Sequence, residues 1–270
     1  MRKLPVIAAF RVILETTRKN IGVALLLLWP WLLLIVPVVA GFVWWSAAHP
    51  LDTNTVDLAQ AAIRFIWSSG IAVLSLMGFS SVAVGWHRHS LLGELPTGFD
   101  VVRNDRITWR FLGNLIGMSI MLGLMIMVPL LIGASLAGGA WPPHAAAADL
   151  LVWLLTVALS VIVGAFGMRM LIKLVGIAID DGRSTLSSCL AASKGNMPQL
   201  LALNLLLTVI FLPFTFVLER SIGGAQDLQA ELLPKLGFLG LVLVDALQAF
   251  VAIVSLTILY RFFVQQRDIS

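Results

Sequence analysis

Six stretches of this chain lack the polar interruptions of a soluble domain. They span 21–45, 61–85, 111–138, 150–175, 197–218 and 236–262. The hydrocarbon core of a bilayer takes about 20 apolar residues as a helix, so each is long enough to cross. The few charges inside them are Arg64, Arg169, Lys173, Asp245 and Arg261. Lipid offers no partner for backbone N–H and C=O groups, so all six are expected to be helical. Residues 4–18, "LPVIAAFRVILETTR", have a different period. Val6, Phe10, Ile13 and Leu14 share one helical face, and Arg11, Glu15 and Arg18 another. This predicts a helix lying in the cytoplasmic interface before the first span, within a cytoplasmic segment 1–20. It does not read as a signal peptide, because the apolar run that follows is too long and begins too late.

Composition agrees. Hydrophobic residues make up 59 % of the 270 residues and charged residues 12 %, with mean hydropathy +0.97. A soluble domain carries about 25 % charged residues. The expectation is an all-α, polytopic membrane protein of six transmembrane helices in a single domain. The net charge of +4 is placed unevenly. Fifteen of the 18 Lys and Arg residues fall in 1–20, 86–110, 169–194 and the tail, leaving Arg64, Arg220 and Lys235 on the other side. The positive-inside rule makes both termini and the two long connections cytoplasmic, in a bacterial inner membrane. Trp44, Trp45, Trp141 and Trp153 flank outer helix ends; Trp86 and Trp109 flank inner ones. The basic residues are divided among membrane edges, so nucleic acid is not expected as a partner. Anionic lipid headgroups at the cytoplasmic face are, along with an unidentified protein partner.

The three outward-running spans share a pattern of a basic residue, Asn, then a long apolar run containing Pro. The Asn–Pro pairs are Asn20–Pro37, Asn114–Pro129 and Asn196–Pro213. Each span follows a segment that can lie amphipathically (4–18, about 98–108 and 184–194), and each returning helix ends near an arginine: Arg88, Arg169 or Arg261. Three units of interfacial helix plus hairpin would produce this spacing, and so would chance, because apolar runs align easily.

The stretch "GWHRHSLLGELPTG", 85–98, holds the closest pair of histidines. Trp86, His87, Arg88 and Glu94 are expected at the cytoplasmic interface near headgroups, with Arg88 snorkelling to phosphate, Glu94 pairing with a basic residue and Pro96 ending the helix. His87 and His89 are two apart, so on a helix they diverge by about 200° and cannot chelate one ion. No metal site and no cofactor are expected, and the single Cys189 excludes an intramolecular disulfide. The run of Trp, His and Arg followed by "LLGE" resembles an uncharacterised family of bacterial six-helix inner-membrane proteins. The six-helix layout is also similar to YciC-like proteins and to the membrane domain of some glycerophosphodiester phosphodiesterases. The catalytic domain of those phosphodiesterases has no counterpart here, so the resemblance implies no catalysis.

Ionisable groups within a span are costly and mark function by default. Asp245 is the foremost, with Gln248 on its face at i+3 and Arg64 as the expected partner; Asn204 lies deeper in the fifth span, and Arg169 and Lys173 face the inner leaflet. One reading is an Asp245–Arg64 bridge that fixes packing; the other is a proton or substrate site. "GNLIG", 113–117, is a GxxxG expected to pack helices within the chain. No catalytic signature is present. The leading expectation is a non-enzymatic scaffold or accessory subunit that contacts anionic lipid. The alternative is a small transporter or lipid-handling protein with a polar cavity around Asp245 and Arg64.

Overall fold

The structure is a computed structural model that describes residues 3–49, 58–94, 102–137, 146–223 and 232–266. The connections between these segments, with Pro96 and Trp141 in them, lie outside the described residues. Among the described residues eight helices follow in order: α1 (Val6–Lys19), α2 (Ile21–Ala48), α3 (Leu58–Leu92), α4 (Arg106–Ala137), α5 (Ala146–Ala178), α6 (Leu186–Ala192), α7 (Met197–Gly223) and α8 (Leu232–Phe263). The described residues contain no strand. Six helices (α2, α3, α4, α5, α7 and α8) are long and apolar enough to cross a membrane, and the chain is an integral membrane protein of the all-α class.

The three hairpins α2–α3, α4–α5 and α7–α8 each pack internally, and α5 and α8 hold them together. The apolar window of α5 is 56 % buried and that of α8 50 %, against 11 % for α2, so the first two are central and the last is peripheral. Among the described residues packing is densest at the end that carries most of the basic residues. Its core is built from the last turns of α3, α5 and α8, the first turns of α2, α4 and α7, and α1. Toward the opposite end large side chains face outward, among them Trp44 at 75 % and Phe65 at 71 % exposure. Lipid tails are as apolar as these side chains, so burial against protein gains little there and close packing must hold the helices. Where helices do meet closely, nearer the basic end, absent side chains permit it. A Cβ on Gly85 of α3 would lie 2.8 Å from Leu27 of α2, and one on Gly164 of α5 would lie 2.5 Å from the Asn204 amide of α7.

α3 continues seven residues beyond the boundary expected at 85. It stops at Gly93 (φ +73°), whose N–H bonds the His89 carbonyl in a left-handed cap. The extra two turns carry the histidine pair into the packed end.

α1 and α6 appear where interfacial helices are expected, whereas in the middle segment residues 102–105 are not helical, 106–108 already belong to α4 and 98–101 lie outside the described residues. The units are not equivalent in packing. α1 turns Ala9, Ile13 and Thr17 inward and lies mainly against α7 and α8, the third hairpin, rather than against its own. The three asparagines also differ. Asn20 bonds the Thr16 carbonyl of α1 at 2.8 Å, Asn114 accepts from Lys173 at 2.7 Å, and buried Asn196 accepts the Leu4 N–H at 2.8 Å.

Candidate functional site

A helix leaves its last four carbonyls without intrahelical partners. In this protein arginines from elsewhere reach several of them. Arg88 donates to Ala178 O at the end of α5 at 3.3 Å, and Arg169 to Leu190 O in α6 at 2.9 Å. Arg261 donates to Ser90 O near the end of α3. These are the three arginines near the ends of the returning helices, each lying within its own helix. Arg64 does the same at the opposite end: it donates to the His49 carbonyl closing α2, which Gln60 also reaches at 2.9 Å, and its guanidinium lies 5.6 Å from the centre of the Trp45 ring. A cation at a helix C-terminus gains from the macrodipole as well as from the hydrogen bond.

This revises the expected headgroup contacts. Trp86 is 1 % exposed: its indole N–H donates to Thr257 Oγ1 at 3.1 Å and its ring meets Phe250 edge-on at 4.9 Å. His87 is fully buried, with Nδ1 2.8 Å from the same hydroxyl. Both are core residues because α3 runs on past the expected membrane edge. His89 turns the other way, to the Glu94 carbonyl at 3.1 Å, so the two rings do diverge. Arg88 makes a forked pair with Glu94, which Arg103 approaches at 3.7 Å. The Arg88 guanidinium holds the Glu94 carboxyl below the usual carboxylate range. Arg169, bonded to Ser193 Oγ at 3.1 Å as well as to Leu190, fastens α6 rather than facing lipid.

Lys173 is half-buried. Its ammonium donates to Asn114, and both line a 150 Å³ polar pocket between the start of α4 and the α5–α6 turn, with Arg110, Gly176, Asp180 and Asp181. Arg110 pairs with Asp180 at 3.0 Å, and both side chains are more than half exposed. Asp181 is fully engaged: it accepts from Tyr260 O–H at 2.6 Å, Ser184 O–H at 2.9 Å and the Arg183 N–H at 3.0 Å. The Tyr260 bond is the main reason its carboxyl sits below the usual range. Neither Arg110 nor the Asp180–Asp181 turn is singled out by the sequence reading. Tyr260, the one tyrosine in the chain, was an available signal.

Just above this pocket the GxxxG of α4 faces outward. A Cβ on Gly113 or Gly117 would meet nothing within 4 Å, so the motif does not pack helices within the chain. It leaves a bare strip of backbone on the face that holds Arg110 and Asn114, three to seven residues along.

Of the expected polar cavity, Asp245 alone remains in place. It lines a 440 Å³ cavity between α2, α3 and α8, level with Ser75–Phe79 of α3. Arg64 lies eleven residues earlier on α3, roughly 16 Å along the helix, and does not line it. Gln248 is also outside the lining and exposed. Asn204 points elsewhere: its amide donates to Val161 O of α5 at 3.1 Å, tying α7 to α5. Among the described residues no three His, Cys, Asp or Glu side chains converge on a metal position. Compared with known protein families, curated proteins and solved structures, the chain matches none.

Proposed function

We propose that the chain is a non-enzymatic scaffold or accessory subunit of a bacterial inner membrane that holds an anionic phospholipid headgroup at its cytoplasmic rim. The carrying observation is the pocket where Lys173 and Arg110 meet at the basic end. The positive-inside rule puts that end in the cytoplasm, with both termini. The other candidate arginines are spent on helix ends; Lys173 has three protons, of which Asn114 takes one.

Two carboxylates beside the cations do not forbid an anion. Asp181 is occupied by Tyr260, Ser184 and backbone. The Arg110–Asp180 pair is exposed, and such pairs contribute about 0–1 kcal/mol, so a lipid phosphate displaces it cheaply. The bare strip at Gly113 and Gly117 runs up α4 from the pocket and accommodates the acyl chain of the same lipid.

The test is lipid retention. The full chain and a Lys173→Gln, Arg110→Gln double variant are purified in dodecyl maltoside and the bound phospholipids weighed by mass spectrometry. Basic residues near an anionic surface contribute about 1 kcal/mol each, so retained phosphatidylglycerol should fall roughly 10- to 30-fold. Equal retention by the variant sinks the proposal.

A further inference from the structure

We propose that the cavity between α2, α3 and α8 is a binding site for an amphipathic organic cation, held by the Asp245 carboxylate and the aromatic rings of Trp31, Phe79 and Phe250. The site shares no lining residue with the headgroup pocket and does not depend on it. Its 440 Å³ falls within the range of small-molecule sites, about 300–1,000 Å³. It lies between the spans, with exposed Asp245 at its edge, eighteen residues before the end of α8 and roughly 27 Å along the helix from it.

The lining selects the ligand's chemistry. Asp245 is the one charged side chain in it and Ser75 the one hydroxyl; the rest is aliphatic, aromatic or glycine. A carboxylate within a membrane span favours a positive partner. A hard metal ion needs six or more oxygens, which one carboxylate and one hydroxyl do not supply. A bulky cation with a greasy body needs far fewer, because aromatic faces attract it and the apolar wall takes its hydrocarbon. The aromatic wall is fixed in place. The Trp31 ring lies against Gly78, where a Cβ would come within 3.1 Å of it, and Phe250 is pinned edge-on by Trp86. Trp31 is 8 % exposed, so its ring is held by protein on nearly every side.

The experiment measures binding of radiolabelled tetraphenylphosphonium to the full chain in dodecyl maltoside by equilibrium dialysis. Saturable binding of one cation per chain is expected. Asp245→Asn should weaken it at least tenfold, Asp245→Glu should preserve it, and Ala249→Phe, which fills the cavity, should abolish it. Triphenylphosphine oxide, of similar shape but neutral, should not displace the cation. The proposal is overturned by any of three results: no saturable binding, equal affinity in Asp245→Asn, or equal displacement by the neutral competitor. Should Asp245→Asn fail to elute as a single species, Ala249→Phe decides alone, and wild-type affinity in that variant overturns the site.

Discussion

Gly176 shows how one missing methyl sets the geometry of the basic end. A Cβ there would lie 2.1 Å from the Ser184 Cβ, and Ser184 is the residue that brings its hydroxyl to Asp181 and Tyr260. Gly176→Ala should therefore destabilise the protein by about 1–3 kcal/mol, the usual cost of overpacking. Thermal unfolding in detergent checks this. A second change, Ser184→Gly, should recover part of the loss, whereas Ser184→Ala should not, because it keeps the colliding carbon. At this scale the sequence was only partly legible. That His87 and His89 diverge followed from helical geometry alone. That Trp86 and His87 are buried did not, because their surroundings come from Thr257 and Phe250, far along the chain. Arg64 was misassigned for a related reason: a helix C-terminus competes with a carboxylate for a guanidinium, and the His49 carbonyl was nearer.

The helices themselves were the most legible level. Six apolar spans and a short amphipathic helix before the first could be read from hydrophobic length and period, and each has its counterpart. What periodicity does not encode is which neighbour a helix chooses. The face marked by Val6, Phe10, Ile13 and Leu14 suggested a helix lying on lipid. α1 instead sinks the adjoining line of Ala9, Ile13 and Thr17 into protein, and Ile7 remains 73 % exposed. Its docking is anchored by Asn196, which is 1 % exposed and accepts the Leu4 N–H, while Lys3 donates to Gly195 O at 2.7 Å. Asn196→Ala should strand the buried Leu4 N–H at a cost of about 1–3 kcal/mol. Hydrogen exchange should then speed up in α1 while the amides of α5 remain as protected as before. Uniform loss of protection would show that α1 is not a separable unit.

At the scale of the whole molecule, the described residues pack most firmly at the basic end. Two carboxylates outside the spans, Glu94 and Asp181, help to tie the firm end, and both are held below their ordinary values of 4.5 and 3.8 by partners. A group with a lowered folded pKa stabilises fully above its unfolded pKa and loses that contribution as pH falls through the folded one. The unfolding temperature should thus be flat from neutral pH to about 5 and fall in more acid solution. In Asp181→Asn the neutral-pH value should drop and the acid fall should shrink; an unchanged acid profile would show that this carboxylate is not among the groups responsible. The arginine caps carry a consequence of another kind. Under the proposed orientation, Arg88, Arg169 and Arg261 first retain their segments inside the cell during insertion, then close the ends of α5, α6 and α3 once the bundle assembles. The same side chains serve as topogenic addresses and as tertiary fasteners. An evolutionary route that inverts this protein in the bilayer by removing its inner arginines would unlatch three helix termini on the way, so its topology is guarded by its own packing.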